Sequence, residues 1–273
     1  KSILDFAPEI VIHMAAQALV RDSYADPIKT WNTNVMGTVN ILNRVSHLDN
    51  KCTAIFITSD KCYDNVEWVW GYRENDRLGG PDPYSASKGG AELAIKSYYK
   101  SFFQNQDLIR IASVRAGNVI GGGDWSKDRL VPDCIKAWSS NNCVELRNPH
   151  STRPWQHVLD PLSGYIKLAV HMNNDSKFNG ESYNFGPSAN QNFSVQELVE
   201  GMSQYWEKVQ WKDVSQAKEG PYESGLLKLD CDKAMFDLGW KAALNFDATV
   251  KMTIEWYKSY YENPTKASEI TSK

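Results

Sequence analysis

The stretch "AIFITSDK", residues Ala54–Lys61, decides the fold. From Ala54 to Thr58 apolar and β-branched residues follow one another without polar alternation. That is the pattern of a strand buried on both faces of a parallel sheet. The segments on either side agree. Asp26-Pro27 reads as an N-cap followed by proline at the first helical position. It opens a helix, "IKTWNTNVMGTVNILNRVSHL", with Trp31, Val35, Val39 and Leu42 at helical spacing. Asp82-Pro83 repeats the signal before "YSASKGGAELAIKSYYKSFF". One further strand, Ile10 to Met14, precedes these elements, and another, within "RIASVRAGN", follows them. Strand, helix, strand, helix, strand without hairpin signals predicts βαβ units and a doubly wound parallel α/β sheet.

Residues 1–120 therefore read as part of a doubly wound domain, and the texture changes beyond Gly121. Residues 121–265 mix loops, short strands such as Tyr183-Asn184-Phe185 and amphipathic helices. They read as a smaller mixed α/β lid, with some segments packing back on the first domain. Ser194 and Glu197 have the spacing of a capping box ahead of "VQELVEGMSQYW", and the last clear helix runs from Ala248 to Tyr261. Residues 266–273 are a polar tail expected to fray.

Composition bounds the function. A net charge of −3 over 273 residues argues against a broad nucleic-acid footprint. No apolar run approaches the roughly 18 residues of a membrane span, and the first residues lack signal-peptide character. The five cysteines are odd in number, scattered and without a CxxC pair, which reads as free thiols in a reducing cytoplasm and gives no metal site.

In an open α/β sheet, ligands bind beyond the carboxyl ends of the parallel strands. His13 to Ala16, Ser59-Asp60-Lys61, and Arg115 to Asn118 all fall at such ends, delivering small or polar groups to one rim. Ser59 and Asp60 could instead merely satisfy strand-end backbone groups, with Lys61 solvated. Tyr84 and Lys88 stand four apart at the start of a helix and so share a face. An ammonium beside a phenol favours the phenolate, which would make Tyr84 a usable base. A bare Tyr-x3-Lys occurs by chance; it gains weight from a strand-end hydroxyl 25 residues earlier.

"HMAAQALVRDSYADP", "NVMGTVNIL", Ser59 with "YSASK", and "RAGNVIGGGDW" resemble, in order and spacing, the extended short-chain dehydrogenase/reductases, and among them the nucleotide-sugar 4,6-dehydratases. The resemblance runs to about Tyr261. It implies that residues 1–120 are part of a Rossmann-like NAD-binding domain and that 121–265 bind the nucleotide sugar. Where thymidine-type sugar dehydratases carry Thr-Asp-Glu, this chain has Ser59-Asp60-Lys61. That swap, with "NVIGGGDWSKDRLVPD" and "RPWQHVLDPLSGY", resembles the branch whose substrate is CDP-glucose, which feeds deoxysugar and O-antigen synthesis. The implied chemistry is oxidation at C4, loss of water across C5 and C6, and return of hydride to C6. Tyr84 takes the 4-hydroxyl proton, Ser59 bonds the same oxygen, and Lys88 grips the nicotinamide ribose. Asp60 is the acid at C6 and Lys61 the base at C5. Lysine can serve as a base only in its neutral form, which burial or neighbouring positive charge favours.

The resemblance also assigns weaker roles. Ala15, Ala16 and Arg115 fall at the cofactor, although the two alanines could equally serve tight sheet–helix packing. Asn34 would organise a relay water, or be a buried amide in a helix kinked near Gly37. Asn118 and Arg153 would contact the diphosphate, and Arg129, Leu130 and Val131 would line the nucleotide pocket. One feature departs from the family: no glycine-rich turn precedes His13, and Gly121–Gly123 lie in the wrong place for it. The expectation is a sequence that starts mid-domain and lacks roughly 70–80 residues, about two βα units. Apolar faces on the two long helices (Trp31, Val35; Leu93, Ile95, Tyr98, Phe102) suggest a four-helix homodimer interface, or a core on both sides. Two other readings share the fold: a nucleotide-sugar 4-epimerase or reductase, and a catalytically silent dinucleotide sensor.

Overall fold

The computed structural model describes residues 2–188, 190–217 and 224–272. Its central sheet is all parallel. β1 (Ile10–His13), β2 (Cys52–Ile57) and β3 (Ile109–Arg115) lie side by side in that order, and Ser182–Asn184 adds a fourth strand against β3. β2 has neighbours on both edges and cover on both faces, so Cys52, Ala54, Ile55 and Phe56 are buried. The pleat then sorts its side chains. Ala54 and Phe56, with Ile109 and Ile111, meet Leu42, Val45, Ile95 and Phe103 on one face. Ile55, with Ala112 and Val114, meets Tyr165, Leu168 and Met172 on the other. β1 lies at the edge of the described sheet, and its Ile10 and Ile12 are exposed.

The helix starts form as their caps dictate. The Asp26 carboxylate accepts from the Lys29 N–H, with Pro27 in the first turn. Asp82 accepts from the Ser85 N–H in the same way ahead of the helix Pro83–Tyr98. Neither long helix is regular throughout. The first is Pro27–Trp31, a π turn at Asn32–Met36, then Gly37–Val45; the second closes in a π turn at Tyr99–Phe103. A π turn inserts one residue into the helical repeat, which apolar spacing over a few turns does not register.

The second half of the chain, here called the lid, contains a separate core where Val131, Ile135 and Trp138 meet Leu198, Met202, Ile254 and Tyr257. The Ser194–Glu197 capping box forms, and the helix it starts is Val195–Met202, shorter than its apolar pattern suggests. Two stretches of the second half return to the central sheet: the helix Leu159–Asn174 with the strand Ser182–Asn184, and later Leu227 to Trp240, where Leu229 bridges to Tyr72 and Ala234, Leu238 and Trp240 join the core on the sheet. Gly122 lies so close to the Trp256 ring that an added Cβ would stand 2.0 Å from its Cγ. The triple glycine thus serves packing within the lid. Beyond Pro264 the polar tail does not fray: Ala267–Ser272 is helical, and the Trp256 indole donates to the Thr271 hydroxyl at 3.0 Å.

Phe56 is 1% exposed in the middle of β2, whereas Phe236 is 89% exposed. Phe56→Ala is expected to lower stability by about 3–5 kcal/mol, and Phe236→Ala to change it by less than about 0.5 kcal/mol. Urea unfolding of the two variants measures both.

Candidate active site

β2 stops at Ile57 because the next side chains turn to other tasks. The Thr58 hydroxyl donates to Glu92, and Ser59 caps a single 3-10 turn, Asp60–Cys62. Ser59 Oγ accepts from the Lys61 N–H at 3.2 Å and donates to Asp60 Oδ1 at 3.0 Å. The strand-end reading of Ser59 is therefore right as far as it goes, yet both side chains also face a cleft.

Asp60 is 4% exposed and rests on a glycine. A Cβ on Gly117 would lie 1.8 Å from Asp60 Oδ2, so no other residue leaves room for this carboxyl. The Asn118 amide donates to the same oxygen at 3.3 Å, from a backbone held at φ +51°. Burial pushes the Asp60 acid above the ordinary carboxylate range, while Lys61, Ser59 and Arg153 pull against it without prevailing. The group is suited to giving a proton.

Tyr84 and Lys88 enter from the Pro83–Tyr98 helix, and both are buried. The Lys88 ammonium stands 5.9 Å from the centre of the Tyr84 ring. Burial lowers Lys88 to about 8. The sequence reading has Lys88 pull the phenol down, and here the structure differs. Burial dominates and raises Tyr84 to about 12, with the Ser59 hydroxyl acting in the opposite sense.

These groups share a cleft of about 440 Å³ with Ala16, Asn118, Arg129, Leu130, Val131 and Arg153. Ala15 lies exposed beside it. Leu130–Ser139 begins at the cleft wall, and Arg129 precedes it with a buried Nε that has no hydrogen-bond partner among the described residues. A helix N-terminus among arginines favours an anion. Arg21, Arg147 and Trp155 also line the cleft and escape the sequence reading. Arg147 carries no pattern that would mark it, whereas Trp155 stands two residues after Arg153 in "RPW" and could have been noticed.

Two residues expected at the cofactor are occupied elsewhere. Arg115 is buried in a bidentate pair with Glu92, and it also donates to the Tyr63 hydroxyl and the Glu74 carbonyl. Asn34 is a buried amide in the π turn: it accepts from the Gln17 N–H and donates to the Gln17 carbonyl and the Ser87 hydroxyl. It ties the exit of β1 to the Tyr84 helix and has no amide hydrogen left for a relay.

Comparison with known proteins bears on this arrangement. Residues 1–253 match the model of the GDP-mannose 4,6 dehydratase family. The chain is 49% identical over 264 residues to a CDP-glucose 4,6-dehydratase of Salmonella typhimurium, covering 95% of this chain and 73% of the relative. A CDP-paratose 2-epimerase of Salmonella typhi is 25% identical over 223 residues, 74% of this chain and 64% of that one. Among solved structures, a UDP-glucuronic acid 4-epimerase from Bacillus cereus, in complex with UDP-glucuronic acid and NAD, superposes with a TM-score of 0.82. The two share 20% identity over 95% of this chain and 78% of that one, a likeness of fold.

The Glu92–Arg115 pair yields a stability test. Burial opposes ionisation of Glu92, but the Arg115 guanidinium and hydrogen bonds from Arg115, Thr58 and Ser113 outweigh it and hold the carboxyl below its usual range. Glu92→Gln leaves Arg115 buried without its counter-charge, at an expected cost of about 3–5 kcal/mol. Because the folded-state value is depressed, the carboxylate's contribution is present above the unfolded value of about 4.3 and is lost as pH falls through the folded one. Urea unfolding at a series of pH values should show the gap between wild type and Glu92→Gln closing only in acid.

Proposed function

This chain belongs to the GDP-mannose 4,6-dehydratase family, and from that premise we propose that it is an NAD-dependent hydro-lyase converting CDP-glucose to CDP-4-keto-6-deoxyglucose. The observation that carries this reading is the convergence of Ser59, Asp60, Lys61, Tyr84 and Lys88 on one cleft. The 49% identical relative, named as a CDP-glucose 4,6-dehydratase, supports the substrate.

The residues present fit the nicotinamide end of NAD. Ala16 leaves the rim open beside Tyr84 and Lys88, and the buried Lys88 ammonium suits ribose hydroxyls in a dry site. When bound, NAD would supply the hydride acceptor for oxidation at C4 and the hydride donor for reduction at C6. The chain's own groups manage protons. Tyr84, in its phenolate form, accepts the proton of the sugar 4-hydroxyl, and Ser59 turns its one hydroxyl hydrogen from Asp60 to that oxygen. The resulting 4-ketone acidifies C5, from which Lys61 takes the proton. Asp60 gives its proton to the C6 hydroxyl, which leaves as water, and as C6 is reduced Lys61 returns a proton, exchangeable with solvent, to C5. Arg129, Arg147 and Arg153 hold the diphosphate near the start of the Leu130–Ser139 helix. The amide of Asn118 is engaged with Asp60, which favours a supporting role for it over a diphosphate contact. A 4-epimerase would need Tyr84 and Lys88 but would have no use for the Asp60-Lys61 pair.

The proposal extends to a cytoplasmic homodimer that supplies deoxysugars for lipopolysaccharide O-antigen. Ile28, Trp31, Leu93 and Phe102 are exposed on the two long helices and available to an interface, whereas Ile95 is buried in the chain's own core. Sedimentation should show a dimer at micromolar concentration, with Leu93→Glu shifting it to monomer. A wild-type monomer would end this part of the proposal.

CDP-glucose turned over in heavy water should give a product with deuterium at C5, and with the original C4 hydrogen at C6. Product that keeps its C6 hydroxyl and gains no deuterium would refute the dehydratase reading. Lys61→Met should still oxidise C4 while losing water at least about 100-fold more slowly, the scale of general-base catalysis; near wild-type product formation removes Lys61 from its role.

A further inference from the structure

The acid of the proposed elimination rests on a segment that is itself clamped from below. Ala116, Gly117 and Asn118 leave β3 with three successive carbonyls, and each has a partner. The Ala116 oxygen accepts from the Asp60 N–H at 3.2 Å. The Gly117 oxygen accepts from the Gln156 side-chain amide at 3.0 Å, and the Asn118 oxygen from the Gln156 N–H at 3.3 Å. The second hydrogen of the same amide goes to the Phe185 carbonyl at 3.0 Å. Phe185 in turn donates its N–H to the Arg115 backbone carbonyl at 2.8 Å, closing the loop on β3. One side chain thus joins the exit of β3, the exit of the Ser182–Asn184 strand and the lid segment Gln156–His157.

Gln156 is 1% exposed and does not line the cleft. Its Oε1 is buried with no hydrogen-bond partner among the described residues. A glutamine chosen only to fill this space would be a poor one, because an apolar residue of like size avoids a buried, unsatisfied acceptor. What glutamine adds is two fixed donors, and one of them sets the plane of the peptide that carries the Gly117 seat. That seat leaves no room for a side chain, since an added Cβ on Gly117 would lie 1.8 Å from Asp60 Oδ2.

We infer that Gln156 is a positioning residue for dehydration: it holds the Gly117–Asn118 turn at the height that presents the Asp60 carboxyl to the leaving hydroxyl. This rests on the dehydratase reading for its chemistry, but the structural link from Gln156 to Asp60 does not.

Gln156→Met keeps the size and removes both donors. In the NAD-loaded protein, CDP-glucose should still be oxidised at C4 at near wild-type rate, seen as reduced nicotinamide building up in a single turnover. Loss of water should slow by about 10–100-fold, the penalty of a slightly misplaced catalytic group. NMR of isotope-labelled aspartate, with Asp60→Asn identifying the signal, should show the Asp60 titration displaced in Gln156→Met without any substrate present. Gly117→Ala attacks the same seat from the other side and should produce the same pattern should Gln156→Met fold poorly. An unchanged Asp60 titration with unchanged water loss overturns the inference, as does an equal slowing of both half-reactions. If wild type neither oxidises nor dehydrates CDP-glucose while the titration moves as expected, the positional link stands and the functional reading falls.

Discussion

A guanidinium and a carboxylate, both almost wholly removed from water, fix the geometry on which the site depends. Arg115 at the end of β3 meets Glu92 in the Pro83–Tyr98 helix through two hydrogen bonds, at 2.9 and 2.8 Å. Burying two ions costs several kcal/mol each unless geometry and further bonds compensate. Here Thr58 and Ser113 complete the carboxylate, while Tyr63 and the Glu74 carbonyl complete the guanidinium. The pair fixes the rotation of the helix about its own axis. Glu92 stands one turn beyond Lys88 and two beyond Tyr84, so all three lie along one stripe. With Glu92 locked inward at the sheet, the other two are aimed at the carboxyl ends of the strands.

Asp60 and Glu92 show how one functional group is put to opposite uses. Both are buried. Glu92 receives a bidentate guanidinium and keeps its charge; Asp60 receives a glycine, an amide and one hydroxyl, and there burial prevails even against Lys61 and Arg153. The difference lies in the neighbour, not in depth below the surface. Tyr84 belongs with Asp60 in this respect, since its burial also outweighs what lies nearby.

The parts of this molecule that are written locally could be read from the sequence. Caps at Asp26, Asp82 and Ser194 act within three residues of themselves, and the buried run in β2 announces its own environment. Ser59, Asp60, Lys61, Tyr84 and Lys88 were legible because strand ends and a helical i,i+4 spacing bring them to one rim. Arg115 misled for the same reason: a charge at a strand end looks alike whether it faces a ligand or a buried carboxylate 23 positions away. Asn34 could be read as a buried amide or as a relay, and only its partners at Gln17 and Ser87 decide. Arg147 and Gln156 reach their places through the return of the lid to the sheet, a long-range arrangement with no local signature.

That return has a consequence for how the protein is made. Synthesis proceeds from the amino end, so β1, β2 and β3 leave the ribosome before the helix Leu159–Asn174 and the strand Ser182–Asn184. Until then the sheet face carrying Ile55, Ala112 and Val114 has nothing to lie against, because Tyr165, Leu168 and Met172 have yet to appear. The lid is no help in the interval, as its own core waits for Ile254 and Tyr257 near the far end of the chain. A nascent chain paused between these points presents a bare apolar sheet and an unpaired edge of β3, the condition in which newly made chains associate wrongly.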